Sequence, residues 1–220
     1  MNVARRRLRT CLALCLVIGT LAVGSSQAGL FSRRSSRKAA APVVRRSLIV
    51  FPFDQGGVAK APEGFGVYVA GDVRAMLAAN EAIMPLVYRE RLSPVQRAID
   101  DNTLKNPDII GPFAEDKAKT LKLARLLASD LFLVGSVDDC VVDGTKKMGE
   151  VTLSASLYET KTGKLLKTFL VSARTPEGTK TSEEDELRDV AKGAAVTKLV
   201  AELVAVPKVE EDAPAETPAK

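Results

Sequence analysis

Between residues 47 and 206 the apolar and polar positions fall into short blocks of two periods. Ser47 to Phe53 (SLIVFPF) is a continuous apolar run, as a strand covered on both faces requires. Phe65, Tyr68, Val69, Val73, Met76 and Leu77 recur at helical spacing with Asp72 and Arg74 opposite, which predicts an amphipathic helix. Ala82 to Tyr88 predicts a second strand, and Pro85 within it, having no amide to donate, points to an edge position or a break. Ser93 suits an N-cap and Pro94 a first helical position, so a helix opens there and NPDIIGPF (106–113) ends it. Glu115 to Ser129 predicts the next helix, with Leu121, Leu123, Ala124, Leu127 and Ala128 on one arc and Lys119, Lys122 and Arg125 on the other.

Leu131 to Val137 is apolar at both parities and predicts a central strand, in which Gly135 admits a close neighbour. Asp138, Asp139 and Cys140 then read as the strand's polar end. Val151, Leu153, Ala155 and Leu157 alternate with Thr152, Ser154, Ser156 and Tyr158, a strand with one wet face. The turn TKTG (160–163) leads back through Lys164 to Ala173 as an antiparallel hairpin. A last helix spans Ser182 to Val204; acids at 183–186 favour its positive end, and Val190, Ala194, Val200, Ala201 and Val204 are the expected core stripe. The order β-α-β-α-α-β-β-β-α describes a single α/β domain over 47–206, a mixed β-sheet with helices packed on it.

The flanks change the picture of charge and location. Arg5, Arg6, Arg7 and Arg9 precede the apolar run Cys11 to Val23, and Ser26-Gln27-Ala28 follows as a small-x-small site. These are the parts of a secretory signal peptide, residues 1–28, with cleavage expected after Ala28 and an exported, periplasmic destination. The run is shorter than the roughly 20 apolar residues a spanning helix needs. Cys11 and Cys15 lie inside it, not at its end, so a lipid anchor is not expected; once the leader is gone, Cys140 has no partner for an intramolecular disulfide. Residues 29–46 read as a flexible basic arm carrying Arg33, Arg34, Arg37, Lys38, Arg45 and Arg46, and residues 207–220 as a disordered acidic Pro/Ala tail. The chain's net charge of +5 therefore sits in the leader and arm, while 47–206 holds 20 basic against 23 acidic residues. A nucleic-acid-binding domain carries its positive charge on a folded face, so no nucleic acid is expected as partner.

The chemistry is narrowed by what the chain lacks. It has no histidine, which removes Ser-His-Asp catalysis, histidine-bearing metal sites and imidazole acid–base work. Cys140 without a histidine is a poor nucleophile. Asp139, Asp143, Gly144 and Glu150 fall at positions one, five, six and twelve of a calcium loop, but Val141 stands at position three with no ligand oxygen, and strands flank it where helices are required. Adjacent Asp138 and Asp139 point to opposite faces of a strand and do not converge on a substrate. The Gly-rich loop QGGVAKAPEGFG (55–66) lies between strand and helix, yet its spacing fits neither the P-loop nor the dinucleotide fingerprint. No cofactor and no metal ion are expected.

The helix running into ASDLFLVGSV, the strand LSASLYETKTGKLL and the long final helix together resemble a group of bacterial envelope domains. That group comprises the TolB N-terminal domain, the periplasmic domain of the CsgG curli channel and LpoB, the penicillin-binding-protein activator. Ala128, Asp130, Gly135 and Ser136 match its "Ala-Asp-hydrophobic-Gly-Ser" strand, Thr162, Gly163 and Lys164 its turn, and SLIVFPF its opening strand. The connection from Asp139 to Gly149 is too short for two membrane-crossing strands of about 9–11 residues each, so a CsgG-type pore is not implied. The resemblance implies an exported, non-catalytic module that binds other envelope proteins in wall synthesis, secretion or outer-membrane assembly, with the basic arm available to an anionic membrane or cell-wall surface. The alternative is a small-ligand-binding protein or enzyme using the loop 55–66. An interaction module exposes an apolar or edge-strand patch, an enzyme a deep polar pocket.

Overall fold

The computed structural model describes residues 45–56 and 61–206. The leader 1–28, the arm residues Arg33, Arg34, Arg37 and Lys38, loop residues 57–60 and the tail 207–220 lie outside the described residues.

The strands are β1 (Arg46–Val50), β2 (Asp54–Gln55), β3 (Ile83–Val87), β4 (Leu131–Asp143), β5 (Met148–Glu159) and β6 (Leu165–Arg174). The helices are α1 (Phe65–Leu77), α2 (Ser93–Asp100), α3 (Asn106–Ile109), α4 (Lys117–Leu126) and α5 (Glu184–Val204). They form one α/β domain around a mixed sheet of order β3-β1-β4-β5-β6, with the short β2 beside β4. The expected succession holds, with β2 and the single turn α3 added. β3, β1 and β4 are parallel, and β4, β5 and β6 are antiparallel.

One face of the sheet is covered along its length. Leu48, Val50, Leu133, Val137, Leu153, Phe169 and Val171 meet α1 and α5 there in one apolar cluster. The other face is covered only in part. Ile49, Phe51, Phe132 and Val134 meet Val95, Leu104, Phe113 and Leu123 from the α2–α4 layer, and no residue of β6 joins that cluster. Aromatic rings fill it: Phe51 stacks on Tyr88 at 4.8 Å and tilts against Phe113 at 5.1 Å. The buried Tyr88 hydroxyl donates to the Ile109 carbonyl oxygen at 2.8 Å, so the segment after α2 is pinned to the end of β3.

Gly135 admits its neighbour as expected. A Cβ there would lie 2.5 Å from both the Phe53 ring and the Ser154 carbonyl oxygen, so the close approach of the chain after β1 to β4 requires glycine.

Several elements differ from their sequence reading. β4 does not stop at Val137; it runs to Asp143 and pairs with β5 as a long hairpin. The register slips at Asp138, where two β4 residues oppose one of β5, a β-bulge. The bulge reverses the alternation, so that Leu133 and Val137 face the core before it and Cys140 after it. α2 begins with Ser93 already helical, and its hydroxyl makes no capping bond. On α1, Tyr68 and Met76 are exposed although their spacing suited the core. On α4, Thr120, Leu123 and Ala124 are buried, and Ala128 lies past the helix end at φ 51°. The face of α5 is turned: Leu187, Ala191, Ala195, Leu199 and Leu203 are buried, whereas Val190, Ala201 and Val204 are exposed. Small alanines next to the sheet let the helix approach closely, with Val196 and Val200 packed beside them, while Val190 and Val204 fall on the outer arc.

Candidate functional site

The residues that carried the family resemblance build a structural knot. Asp130, just before β4, accepts through one carboxylate oxygen from the Ser47 amide at 2.7 Å and the Ser47 hydroxyl at 2.8 Å, and its own amide donates back to that hydroxyl at 2.9 Å. This sets β1 against β4. Thr160 donates its amide to the Asp130 carbonyl oxygen at 2.9 Å, and Arg125 donates to the carbonyl oxygens of Thr160 and Lys161, tying the β5–β6 turn to α4. Gly163 closes that turn at φ 70°. Ser136 shares hydrogen bonds with Ser154 at 2.8 Å and with the Asp138 carboxylate, which also accepts from Ser154 at 3.1 Å. Asp138 and Asp139 therefore do not solvate a strand end. They lie within β4, and Asp138 satisfies two hydroxyls at the bulge.

The other singled-out residues are dispersed. Glu150 faces Arg174 at 2.9 Å, and hydrogen bonds from Arg174 hold its carboxyl below the usual range; Asp143 takes the Lys146 amide at 3.0 Å. The segment read against a calcium loop is a β-hairpin in which Asp143 and Glu150 are engaged separately. Cys140 is buried within β4, and burial pushes its thiol up despite the opposing Arg188. At the described end of loop 55–66, Gln55 donates to the Pro62 carbonyl oxygen at 2.7 Å. Asp54 accepts from the Phe113 and Ala114 amides, at 2.7 and 2.5 Å; burial raises its carboxyl pKa and these donors oppose the rise. Arg46 opens β1 and pairs with Ile83, and Arg45 shares an open hollow of about 280 Å³ with Arg74, Glu81 and Met84.

The alternation of β5 pointed to one wet face, but not to how far it extends: the described residues leave half of the sheet uncovered on that side. Beyond the α2–α4 layer, β5 and β6 turn Thr152, Ser154, Ser156, Thr168, Leu170 and Ser172 to the open side. Leu170, 71% exposed, stands out from this hydroxyl-rich surface at the middle of β6. β6 is also an edge. The Thr175 amide donates to Gly149 of the neighbouring chain segment at 2.9 Å, so two-residue alternation directs the backbone groups of Thr168, Leu170, Ser172 and Arg174 away from β5. The Ser172 carbonyl oxygen accepts from Lys198 of α5 at 2.7 Å, confirming its outward direction. The readable signal for the bulge was the change of apolar parity between Val137 and Cys140. For the edge, it was that a helix, and no strand among the described residues, follows the β5–β6 hairpin.

No family model matches the sequence, and no curated protein matches it. Solved structures of similar fold include PelC from Paraburkholderia phytofirmans, described as a dodecamer, at 14% identity and TM-score 0.49, covering 74% of this chain and 91% of that one. The lipoprotein GNA1162 from Neisseria meningitidis is 20% identical with TM-score 0.42, over 72% of this chain and 98% of that one. The LpoB C-terminal domain from Salmonella enterica is 16% identical with TM-score 0.41, over 60% and 86%. These are likenesses of fold at low identity and assign no activity.

Proposed function

We infer that this chain is an exported accessory module of the bacterial envelope that works by binding other envelope proteins and not by catalysis. The observation that carries this reading is the β6 edge: a ten-residue strand whose alternate residues Thr168, Leu170, Ser172 and Arg174 turn their backbone groups outward, beside a sheet face that the described residues leave uncovered and the exposed Leu170. Such an edge adds a partner's extended segment through main-chain hydrogen bonds. The absence of histidine from the sequence supports the non-catalytic part. The leader read at 1–28 supports export, and no helix among the described residues is long and apolar enough to cross a membrane. Within this reading the basic arm (Arg33, Arg34, Arg37, Lys38 and Arg45, continued by Arg46 at the start of β1) holds the module near an anionic membrane or wall polymer, at about 1 kcal/mol per basic residue close to the surface.

The test places a photo-crosslinking residue at Leu170 and, as control, at Leu126, the exposed last residue of α4. Crosslinks in living cells to a discrete envelope protein from position 170 and not from 126 are expected. Crosslinks at both positions alike, or none at 170, would remove the β6 edge as the working surface. For the arm, deletion of 29–44 is expected to leave thermal unfolding unchanged and to abolish salt-sensitive sedimentation with anionic vesicles. Equal sedimentation with and without the arm would exclude the tether.

A further inference from the structure

The β6 edge is self-complementary, and we propose that it pairs antiparallel with β6 of a second copy of this chain about a two-fold axis through Leu170. This deepens the interaction-module reading and rests on the same edge. Because the backbone groups of Thr168, Leu170 and Ser172 all point outward, a register centred on Leu170 sets Leu170 opposite itself and Thr168 opposite Ser172 of the other copy. Each of these positions then exchanges both main-chain hydrogen bonds with its opposite. On the open face Leu170 meets its own counterpart, flanked by Thr–Ser pairs, which is a favourable cross-strand set. On the α5 side Phe169 falls opposite Val171, and Lys167 opposite Ala173. No like charges are opposed in this register.

Helix α5 carries the second argument. Lys198 reaches Ser172 while Glu202 lies 3.8 Å from Lys167, so α5 runs antiparallel to β6, and the Lys198–Glu202 pair straddles the level of Leu170. A two-fold axis perpendicular to the sheet at Leu170 brings the two α5 helices side by side on one face, with Lys198 of each copy facing Glu202 of the other. Ala194, Ala201 and Ala205 lie on the same arc of α5 and offer no bulk against close approach. In the single chain Lys198 occupies the Ser172 carbonyl oxygen. In the pair that oxygen takes the Thr168 amide of the second copy, and the Lys198 ammonium passes to Glu202 across the axis. The same lysine closes the edge in one state and clamps it in the other.

Sedimentation equilibrium on the purified protein, as the producing cell leaves it, tests this without any partner. A concentration-dependent dimer is expected. Leu170→Pro, which removes an amide that β5 does not use, is expected to weaken it at least about tenfold. Lys198→Glu and Glu202→Lys are each expected to weaken the dimer, and the double reversal Lys198→Glu with Glu202→Lys to restore it. Leu170→Cys is expected to crosslink two copies on mild oxidation, since opposed Cα atoms stand about 5.5 Å apart, and Thr168→Cys is not. A protein monomeric at every concentration, or a dimer that tolerates Leu170→Pro and is not rescued by the double reversal, would overturn the pairing. Either result leaves the in-cell crosslinks from position 170 to decide the broader reading on their own.

Discussion

The two edges of the sheet are built on opposite plans. β3 is five residues long and carries Pro85 at its centre. The Tyr88 amide donates inward to Val50 at 2.9 Å, so alternation turns Ile83, Pro85 and Val87 to the free side. Of these, the Ile83 amide donates to the Asn80 carbonyl oxygen at 3.3 Å and Pro85 has no amide. That edge is closed by covalent structure and by a local turn. β6 is twice as long, carries no proline, and has Lys198 as its side-chain cap among the described residues. A cap of one mobile ammonium is reversible where a proline is not. The difference marks β3 as an edge protected against pairing and β6 as one held in reserve.

Both edges hang on β4, so the largest expected effect comes from its centre. Gly135→Val places branched carbon where Phe53 and the Ser154 carbonyl oxygen already stand at 2.5 Å from a Cβ, and overpacking of this kind costs about 3 kcal/mol. Urea unfolding is expected to show that loss, and a stability within about 0.5 kcal/mol of the parent would mean the β1–β4 approach is looser than described. The next effect separates the halves. Asp130→Ala frees the Ser47 amide and hydroxyl, an expected cost of about 1 kcal/mol at this exposed site. Hydrogen exchange is expected to quicken in β1 and β3 and to stay unchanged in β6. Uniform quickening would show the two halves to be one cooperative unit.

Much of this contrast was written in the chain, though not all of it. Pro85 pointed to an edge or a break, of which the edge is the one found, because a missing amide is tolerated where no partner strand needs it, and the alternation from Val151 to Tyr158 announced a strand with one wet face. Local rules sufficed there. The α5 stripe held at Val200 and failed at Val190, Ala201 and Val204, for a different reason. Valines and alanines are distributed around the helix, and the sheet's demand for close approach selected Ala191 and Ala195 over Val190 and Ala194, which only tertiary packing decides. The end of β4 was misplaced because Asp138 and Asp139 look like a turn. The bulge that absorbs Asp138 is stabilised by Ser154, a residue sixteen positions away. Lys198 at the β6 edge was invisible for the same reason: its acceptor is a backbone oxygen on another element.

A smaller effect is expected where the β3 edge is opened. Pro85→Thr adds an amide facing solvent and leaves the inward hydrogen bonds of Leu86 and Met84 in place, so stability is expected to change by less than about 0.5 kcal/mol. Light scattering against concentration is expected to rise, because Met84 and Leu86, 58% and 43% exposed, then flank a pairing-competent strand. Unchanged scattering would mean that strand length, and not the proline, protects this edge.

The last and smallest effect is a difference of sign with pH. On the covered half, the folded-state pKa of Asp54 lies above its ordinary 3.8, chiefly through burial. The folded state then holds that proton more tightly than the unfolded chain does, so the contribution of Asp54 is favourable at low pH and is lost as pH rises through the raised value. On the open half, hydrogen bonding from Arg174 lowers the pKa of Glu150 below 4.5. Its contribution is present above that value and is lost as pH falls through the lowered one. Asp54→Asn is therefore expected to gain on the parent protein as pH rises from about 3 to 6, while Glu150→Gln falls behind it over the same window. Urea unfolding at several pH values reads both differences, and salt is expected to shrink the exposed Glu150–Arg174 term more than the Asp54 term. If the two variants drift in the same direction with pH, the covered and open halves do not differ in the electrostatics of their carboxylates as burial and pairing require.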